Sequence, residues 1–171
     1  MKISTHRVAG IAVALLFLST MTPVRADERQ LLPRDMPKTY VPECGACHTA
    51  YPPGMLPARS WQRLMDGLNQ HYGTDASLDA ATVHELGNWL QAHAGRYKRS
   101  SAAPPQDRIT RTAWFLHEHR KIDAAVWTHD SVGSAAQCTA CHAGADQGDY
   151  DDDGLRIPAG LDARLRRAWK D

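Results

Sequence analysis

Two pentapeptides of the same pattern stand far apart in the chain: Cys44-Gly45-Ala46-Cys47-His48 and Cys138-Thr139-Ala140-Cys141-His142. A C-x-x-C-H pattern is the signature of c-type haem attachment. Its two thiols add to the two vinyl groups of the porphyrin, and the histidine then falls beneath the iron. The sequence therefore predicts two covalently bound haem c groups. The predicted attachment residues are Cys44, Cys47, Cys138 and Cys141, and the predicted proximal iron ligands are His48 and His142.

Three other uses of paired cysteines fit the sequence less well. Zinc sites built from two C-x-x-C pairs usually separate the pairs by about 15–20 residues, whereas 90 residues lie between Cys47 and Cys138. Structural disulfides would not require a histidine after each pair. A thioredoxin-like redox motif needs a βαβ context, and no convincing strand pattern is present. Haem attachment is the favoured interpretation.

The sixth ligand of each iron decides what the haems do. Methionine as the axial ligand raises the reduction potential of a cytochrome c, but no methionine follows Met65. Histidines are more plentiful. Besides the proximal pair, the chain beyond residue 26 contains His71, His84, His93, His117, His119 and His129. This distribution favours two histidine ligands on each iron.

The spacing of apolar residues selects among these histidines only in part. His71 continues the helical stripe of Trp61, Leu64 and Leu68, and is predicted as the distal ligand of the first haem. His93 is the rival, because it too is in register with an apolar stripe. For the second haem, His117 and His119 are both compatible with the helical pattern, and periodicity does not separate them.

The N-terminus has the layout of a secretory signal peptide. Lys2 and Arg7 precede the apolar run 8–18. A polar stretch follows the run and ends in Val24-Arg25-Ala26, a small-residue cleavage pattern. The run is much shorter than the roughly 20 residues of a membrane-spanning helix. We expect cleavage after Ala26, export to the periplasm and no stable membrane insertion. Loss of residues 1–26 leaves 17 of the 20 basic residues against 19 acidic ones, so no basic field indicates nucleic-acid binding.

The remaining chain is predicted to be all-α, with two small helical c-type haem domains and much irregular chain. Helices are predicted from Trp61 to His71, from Ser77 to Gly95 and from Thr110 to Arg120, with shorter ones over 134–142 and 161–169. The polar, proline-containing stretch Arg96 to Gln106 indicates a linker. The predicted organisation is a signal peptide at 1–26, an N-terminal haem domain at 27–97, a linker at 98–106 and a C-terminal haem domain at 107–171.

Two further segments carry local signals. Tyr51 to Pro57 contains three prolines and a glycine, so it is predicted not to be a regular helix and to wrap an edge of the first haem. The stretch Asp149 to Gly154 begins like a calcium-binding EF-hand loop, but position 12, which should be a bidentate glutamate, is Gly160. We interpret it as an exposed acidic turn.

Several collinear motifs carry a family resemblance. They are Tyr51-Pro52-Pro53-Gly54, Leu56-Pro57-Ala58-Arg59-Ser60-Trp61, His71-Tyr72-Gly73, Arg108-Ile109-Thr110, Trp114-Phe115, Glu118-His119, Ala145-Asp146 and Ile157-Pro158, together with the two C-x-x-C-H motifs. With these motifs the sequence resembles the bacterial dihaem cytochromes c typified by the soluble periplasmic protein of purple photosynthetic bacteria. The resemblance implies two histidine ligands per iron, low reduction potentials, and His71 and His119 as the distal ligands. Tyr72 stands where the family often has Phe.

Electron transfer is the function that these observations favour, with no catalytic residues. The resemblance implies redox protein partners, such as a membrane cytochrome b and a small oxygen-binding monohaem cytochrome. The alternative is a haem enzyme or ligand sensor in which one iron keeps an open or labile site. The dihaem peroxidases that would exemplify it have considerably longer chains than these 171 residues.

Overall fold

The computed structural model describes residues 31–97 and 100–169, and the predicted signal peptide lies outside them. Five α-helices occur in this part of the chain, and no strand is formed there beyond isolated bridges. The helices are α1 (Tyr40–Cys44), α2 (Ala58–Asp66), α3 (Ala80–His93), α4 (Ala113–Glu118) and α5 (Ala124–Trp127). Short 3-10 helices and irregular chain connect them. The all-α prediction is confirmed.

The longest helix, α3, supplies the wall against which the first half packs. It begins at Asp79, whose carboxylate accepts hydrogen bonds from the amides of Ala81 and Thr82, a common way to satisfy the free amides of a first turn. Leu86 and Leu90 are completely or almost completely buried on its inner face. They pack in one apolar cluster with the buried residues of α2, and a smaller cluster lies in the second half.

The predicted continuous helix from Trp61 to His71 is wrong. Helix α2 ends at Asp66, and Gly67 caps it with its amide donating to the carbonyl of Leu64 at 3.2 Å. Glycine is a poor interior helix residue, because its backbone loses more conformational freedom than any other on folding. A 3-10 helix over Leu68–Gln70 follows, and His71 lies beyond it in an isolated bridge with Thr74.

Helices in the second half are also shorter than predicted. Helix α4 starts at Ala113, because the Thr112 hydroxyl accepts the Phe115 amide and so fixes the first turn there. The predicted helix over 134–142 is reduced to the 3-10 helix Cys138–Ala140. The amide of Cys138 donates to the Thr49 hydroxyl at 3.1 Å instead of to a carbonyl one helical turn earlier. The predicted segment 161–169 is a 3-10 helix over Leu165–Trp169.

Residues at both ends of the predicted linker bond to the first half. The Tyr97 amide and the Ser100 hydroxyl donate to the carbonyl of Gly54, and Arg63 on α2 binds the carboxylate of Asp107, the first residue of the second half. The domain boundaries at residues 97 and 107 stay a prediction. In the described ranges, no helix is long and apolar enough to cross a membrane.

Replacing Leu86 by Ala should test the packing of α2 on α3. Leu86 is 0% exposed, and truncating such a leucine typically lowers the free energy of unfolding by about 2–5 kcal/mol. The matched control is Leu116→Ala on α4, where the side chain is 58% exposed and a change within about 0.5 kcal/mol is expected. Chemical denaturation of the haem-containing protein measures both. Equal losses in the two variants would contradict this description of the core.

Candidate functional site

The first C-x-x-C-H motif is a tight turn at the end of α1. Cys44 closes the helix, and the amide of Gly45 donates to the carbonyl of Val41 at 2.8 Å. A Cβ atom on residue 45 would lie 2.6 Å from that carbonyl oxygen, which is closer than non-bonded atoms approach. Glycine at this position therefore lets the chain turn so that Cys47 and His48 follow directly.

His48 and His71 face each other across the first site. Their ring centroids are 6.1 Å apart, and their planes are inclined by only 23°. The Nδ1 atom of His48 lies 2.7 Å from the carbonyl oxygen of Thr49. If Nδ1 carries the proton and donates it there, Nε2 has a free lone pair, as a metal-binding imidazole requires.

This separation fits an iron between two imidazoles. A histidine nitrogen binds a metal ion at about 2.0–2.1 Å, and it lies about 1.1 Å from the centre of its own ring. Two imidazoles on opposite sides of one iron therefore have centroids about 6.3 Å apart by the same bond lengths. The first pair matches this distance without an adjustment of the backbone.

His119 and His142 form an equivalent second pair. Their ring centroids are 6.2 Å apart, with an interplanar angle of 73°. The Nδ1 atom of His119 lies 2.9 Å from the carbonyl of Phe115, and its ring stacks on the Phe115 ring at 4.1 Å. His142 is fixed differently, by an isolated bridge to Leu155. The spacing is again that of two ligands on one iron.

A cavity of about 570 Å³ joins the second pair to its thiols. Cys138, Cys141, His119 and His142 all line it, and apolar and aromatic side chains form most of the remaining wall. Two other lining residues, Trp114 and Tyr150, have a buried indole nitrogen and a buried hydroxyl without a hydrogen-bond partner. Buried polar atoms usually have partners, so these two fit a cavity filled by a group with polar substituents. A haem, with an apolar macrocycle and two propionates, is such a group.

Burial governs the protonation of the site residues. It lowers the pKa of His71, with smaller contributions from His48 and Arg108, and it lowers the pKa of His142, aided by His119. Both imidazoles are therefore held in the neutral form that a metal ligand needs. Burial also raises the pKa of the Cys44 and Cys138 thiols to about 11. Redox-active C-x-x-C motifs have lowered thiol pKa values. The raised thiol pKa values of this chain therefore differ from those of a redox-active motif.

The alternative uses of the cysteines find no support in the geometry. No disulfide bond joins any of the four cysteines, Cys44, Cys47, Cys138 and Cys141. Across residues 31–97 and 100–169, no cluster of three or more His, Cys, Asp or Glu side chains is placed to hold a metal ion. In the acidic turn, Asp149 and Asp151 accept the backbone amides of residues 151 and 153, which is local capping of a turn.

The rival histidines lie elsewhere. His93 binds the Asp35 carboxylate through Nε2 at 3.0 Å and packs beside Trp89. His117 is exposed on α4. His84 contacts Asn88, and His129 contacts Ser131, both within their own local segments. The structure brings His71 and His119, and neither His93 nor His117, opposite the histidines of the C-x-x-C-H motifs.

The two motifs touch each other, which the sequence did not indicate. Gln137 donates through Nε2 to the carbonyl of Cys47 at 2.9 Å, and the Cys138 amide donates to Thr49. Tyr51 joins the two sites. Its ring stacks on His48 at 4.9 Å, its hydroxyl donates to the carbonyl of Ala136, and it also lines the second cavity.

The segment from Tyr51 to Pro57 therefore lies between the sites and does not only border the first. It contains a 3-10 helix over Pro53–Met55, in agreement with the prediction that it is not a regular helix. Met55 is buried and lines the second cavity. His119, however, stands opposite His142 at the spacing of an iron ligand.

The chain is similar to known dihaem cytochromes c. The crystal structure of the dihaem cytochrome c of Shewanella baltica is 34% identical, covers 72% of this chain and 96% of its own, and superposes with a TM-score of 0.62. Two structures of the dihaem cytochrome c of Rhodobacter sphaeroides are 38% and 36% identical, each covering 70% of this chain and 99% of their own, with TM-scores of 0.58 and 0.59. No curated protein shows significant similarity to the chain.

The family model described as dihaem cytochrome c matches residues 40–150, a range that begins before the first C-x-x-C-H motif and ends after the second. The matched range contains both histidine pairs and the cavity walls contributed by α4 and Tyr150. This chain therefore belongs to the dihaem cytochrome c family of electron-transfer proteins and carries two covalently bound haem c groups.

Proposed function

We propose that this chain is a periplasmic electron carrier in which each iron has two histidine ligands, His48 and His71 on the first haem and His142 and His119 on the second. The observation that carries the proposal is the spacing of the two pairs. Both centroid distances, 6.1 and 6.2 Å, match two imidazoles that share one iron. The haems supply one-electron redox chemistry, and the protein holds their axial ligands.

Two histidine ligands on each iron imply a low reduction potential. Replacing an axial histidine by methionine raises the potential of a cytochrome c. Met65, the methionine nearest His71 in the sequence, is buried and packs near Gly87 on α3. An iron with both axial positions filled also has no open site for a substrate, which supports electron transfer in preference to catalysis.

The placement of Tyr51 supports electron exchange between the haems. Its ring contacts the proximal histidine of the first site and lines the cavity of the second. Each motif is also hydrogen-bonded to a residue that flanks the other, Cys47 to Gln137 and Cys138 to Thr49. Close approach of two redox groups favours transfer between them, so the protein is proposed to exchange electrons internally.

Location and partners follow from the sequence. The N-terminal pattern of charged, apolar and small residues supports export and cleavage after Ala26. The family resemblance supports redox proteins as partners, such as a membrane cytochrome b and a small monohaem cytochrome, and assigns neither of them as donor or acceptor. These assignments are part of the proposal.

Covalent attachment predicts that haem stays with the polypeptide under denaturing electrophoresis. The mass should equal the chain from Asp27 plus two haems. Cys141→Ser should leave one haem bound by a single thioether or lost, because Cys141 lines the second cavity with its partner Cys138. Mass spectrometry of protein from a host with cytochrome c maturation checks this. A mass equal to the bare chain would contradict attachment.

Replacing each distal histidine should change the spin state or the axial ligand of one iron. His71→Ala should make the first haem high-spin, or let a residue such as Met65 replace the lost ligand and raise its potential. His119→Ala should do the same at the second haem. Electron paramagnetic resonance and potentiometric titration report both changes.

The matched controls are His93→Ala and His117→Ala, which remove histidines that do not face a motif histidine. Both should leave the two haems low-spin. A high-spin signal in His93→Ala and none in His71→Ala would show that the wrong residue has been assigned. Loss of His119 that perturbs the first haem would mean that the halves exchange ligands.

Carbon monoxide distinguishes the carrier from an enzyme or ligand sensor. The reduced wild-type protein should bind it slowly or not at all, because both axial positions of each iron are filled. Stopped-flow absorbance measures the rate and stoichiometry. Rapid binding of one equivalent by the untreated protein would favour an open or labile iron site.

A further inference from the structure

Three non-glycine residues of the described ranges have a positive φ angle, and all three belong to one contact. They are Tyr72 at 52°, Gln106 at 53° and Asp107 at 54°. Side chains other than glycine rarely adopt this left-handed conformation, and for bulky residues it is strained. Strained backbone persists only where surrounding contacts hold it in place. Tyr72 directly follows His71, so the strain is concentrated beside one proposed iron ligand.

Residues 106–108 contact Tyr72 in two ways. The Tyr72 hydroxyl donates to the carbonyl of Gln106 at 2.8 Å. The guanidinium carbon of Arg108 lies 3.9 Å above the centre of the Tyr72 ring, a cation–π contact. Tyr72 is itself 42% exposed, so these contacts, more than core packing, fix its position.

A charge-assisted pair anchors the same segment to α2. Arg63 donates through Nε and Nη2 to the two carboxylate oxygens of Asp107, at 2.8 and 2.5 Å. The two-point geometry defines orientation as well as distance. Arg63 lies in the last turns of α2, just before the chain leaves the helix toward His71. The segment is thus tied to the chain on both sides of the turn that carries His71.

The residue itself has little local support. His71 follows a 3-10 helix and precedes Gly73, which has a φ of 97°. Its backbone amide donates to the carbonyl of Leu68 at 3.3 Å, and its carbonyl accepts the Thr74 amide at 3.1 Å, so both contacts lie within the turn itself. Neither a regular helix nor a strand fixes the direction of its ring. Contacts from outside the turn are therefore expected to orient the His71 ring.

We infer that residues 106–108, at the end of the predicted linker and the start of the second half, form a latch that positions His71 as the distal ligand of the first haem. Arg63, Tyr72 and Asp107 are its positioning residues. The inference rests on the proposed role of His71. Its consequence is that the lability of the first iron's sixth ligand is controlled from the other half of the chain.

The latch is tested by carbon monoxide binding to the reduced protein, because the gas can reach a six-coordinate iron only after the distal histidine leaves. Arg63→Gln breaks the pair with Asp107. Tyr72→Phe keeps the ring under Arg108 but removes the hydroxyl. Each should speed binding at one haem by about three- to fivefold, as expected for loss of one exposed charged or polar contact. The two together should give about tenfold by the same reasoning.

Arg164→Gln is the matched control. Arg164 pairs with Asp123 across a similar stretch of sequence, and its side chain is 53% exposed against 50% for Arg63. It should change the rate at the first haem less than about twofold, since this surface ion pair belongs to the second half and contacts neither His71 nor residues 106–108. Because Tyr72→Phe is a conservative change, it keeps the test informative even if Arg63→Gln folds poorly.

The His71→Ala background gives the decisive readout. If the latch acts through His71, adding Arg63→Gln to that variant should leave the rate unchanged. Rates for Arg63→Gln and Tyr72→Phe equal to that of Arg164→Gln, with His71→Ala high-spin, would overturn the latch and leave the ligand assignment intact. A His71→Ala protein that stays low-spin with unchanged potentials would overturn the ligand assignment and the latch with it.

Discussion

Two imidazoles on one iron must keep their ring centres about 6.3 Å apart, and this fixed distance orders much of the chain. Neither pair is made by neighbouring turns of one helix. His48 follows α1, His71 lies in a turn after α2, His119 caps α4 and His142 is held by a bridge to Leu155. The four local structures that carry these histidines must together place the two ring pairs at this distance. The helices serve mainly as supports from which short irregular segments place the ligands.

That agreement is reached by contacts between the halves. The Cys138 amide binds Thr49, the Gln137 amide binds the Cys47 carbonyl, and the Tyr51 ring covers His48 while reaching the second cavity. These contacts replace regular α-helix near the second motif, where the chain forms the short 3-10 helices Cys138–Ala140 and Ala145–Gln147. A polar group that bonds across the halves fixes the relative position of two segments, whereas a bond inside a helix fixes only its own turn. The irregularity near the haems is therefore a consequence of how the sites are assembled.

The sequence predicts the chemistry of this site better than its geometry. The C-x-x-C-H motifs identify the cofactor because covalent attachment fixes residue types and spacing. The apolar spacing predicts His71 as a ligand on a helical face, but Gly67 ends that helix and His71 lies opposite His48 in a turn. The spacing of apolar residues gives no information about the contact between Tyr72 and Arg108. His119 was favoured over His117 only by family resemblance, since the decisive fact, the direction of a ring at a helix end, depends on the stacking against Phe115. Tyr51 carried no signal of its role.

The same dependence on distant contacts links attachment to folding. In the described part of the second half, the apolar cluster is built on four buried residues, Val126, Val132, Leu161 and Leu165. Beside it lies a cavity of about 570 Å³ whose lining includes three unpartnered buried polar atoms, on Trp114, His142 and Tyr150. Large apolar cavities and unsatisfied polar groups both destabilise a fold, so the haem acts as part of the core. A group that binds only the folded state stabilises it according to its concentration. Thioether bonds to Cys138 and Cys141 remove that dependence, because they keep the haem attached to the chain when the fold opens.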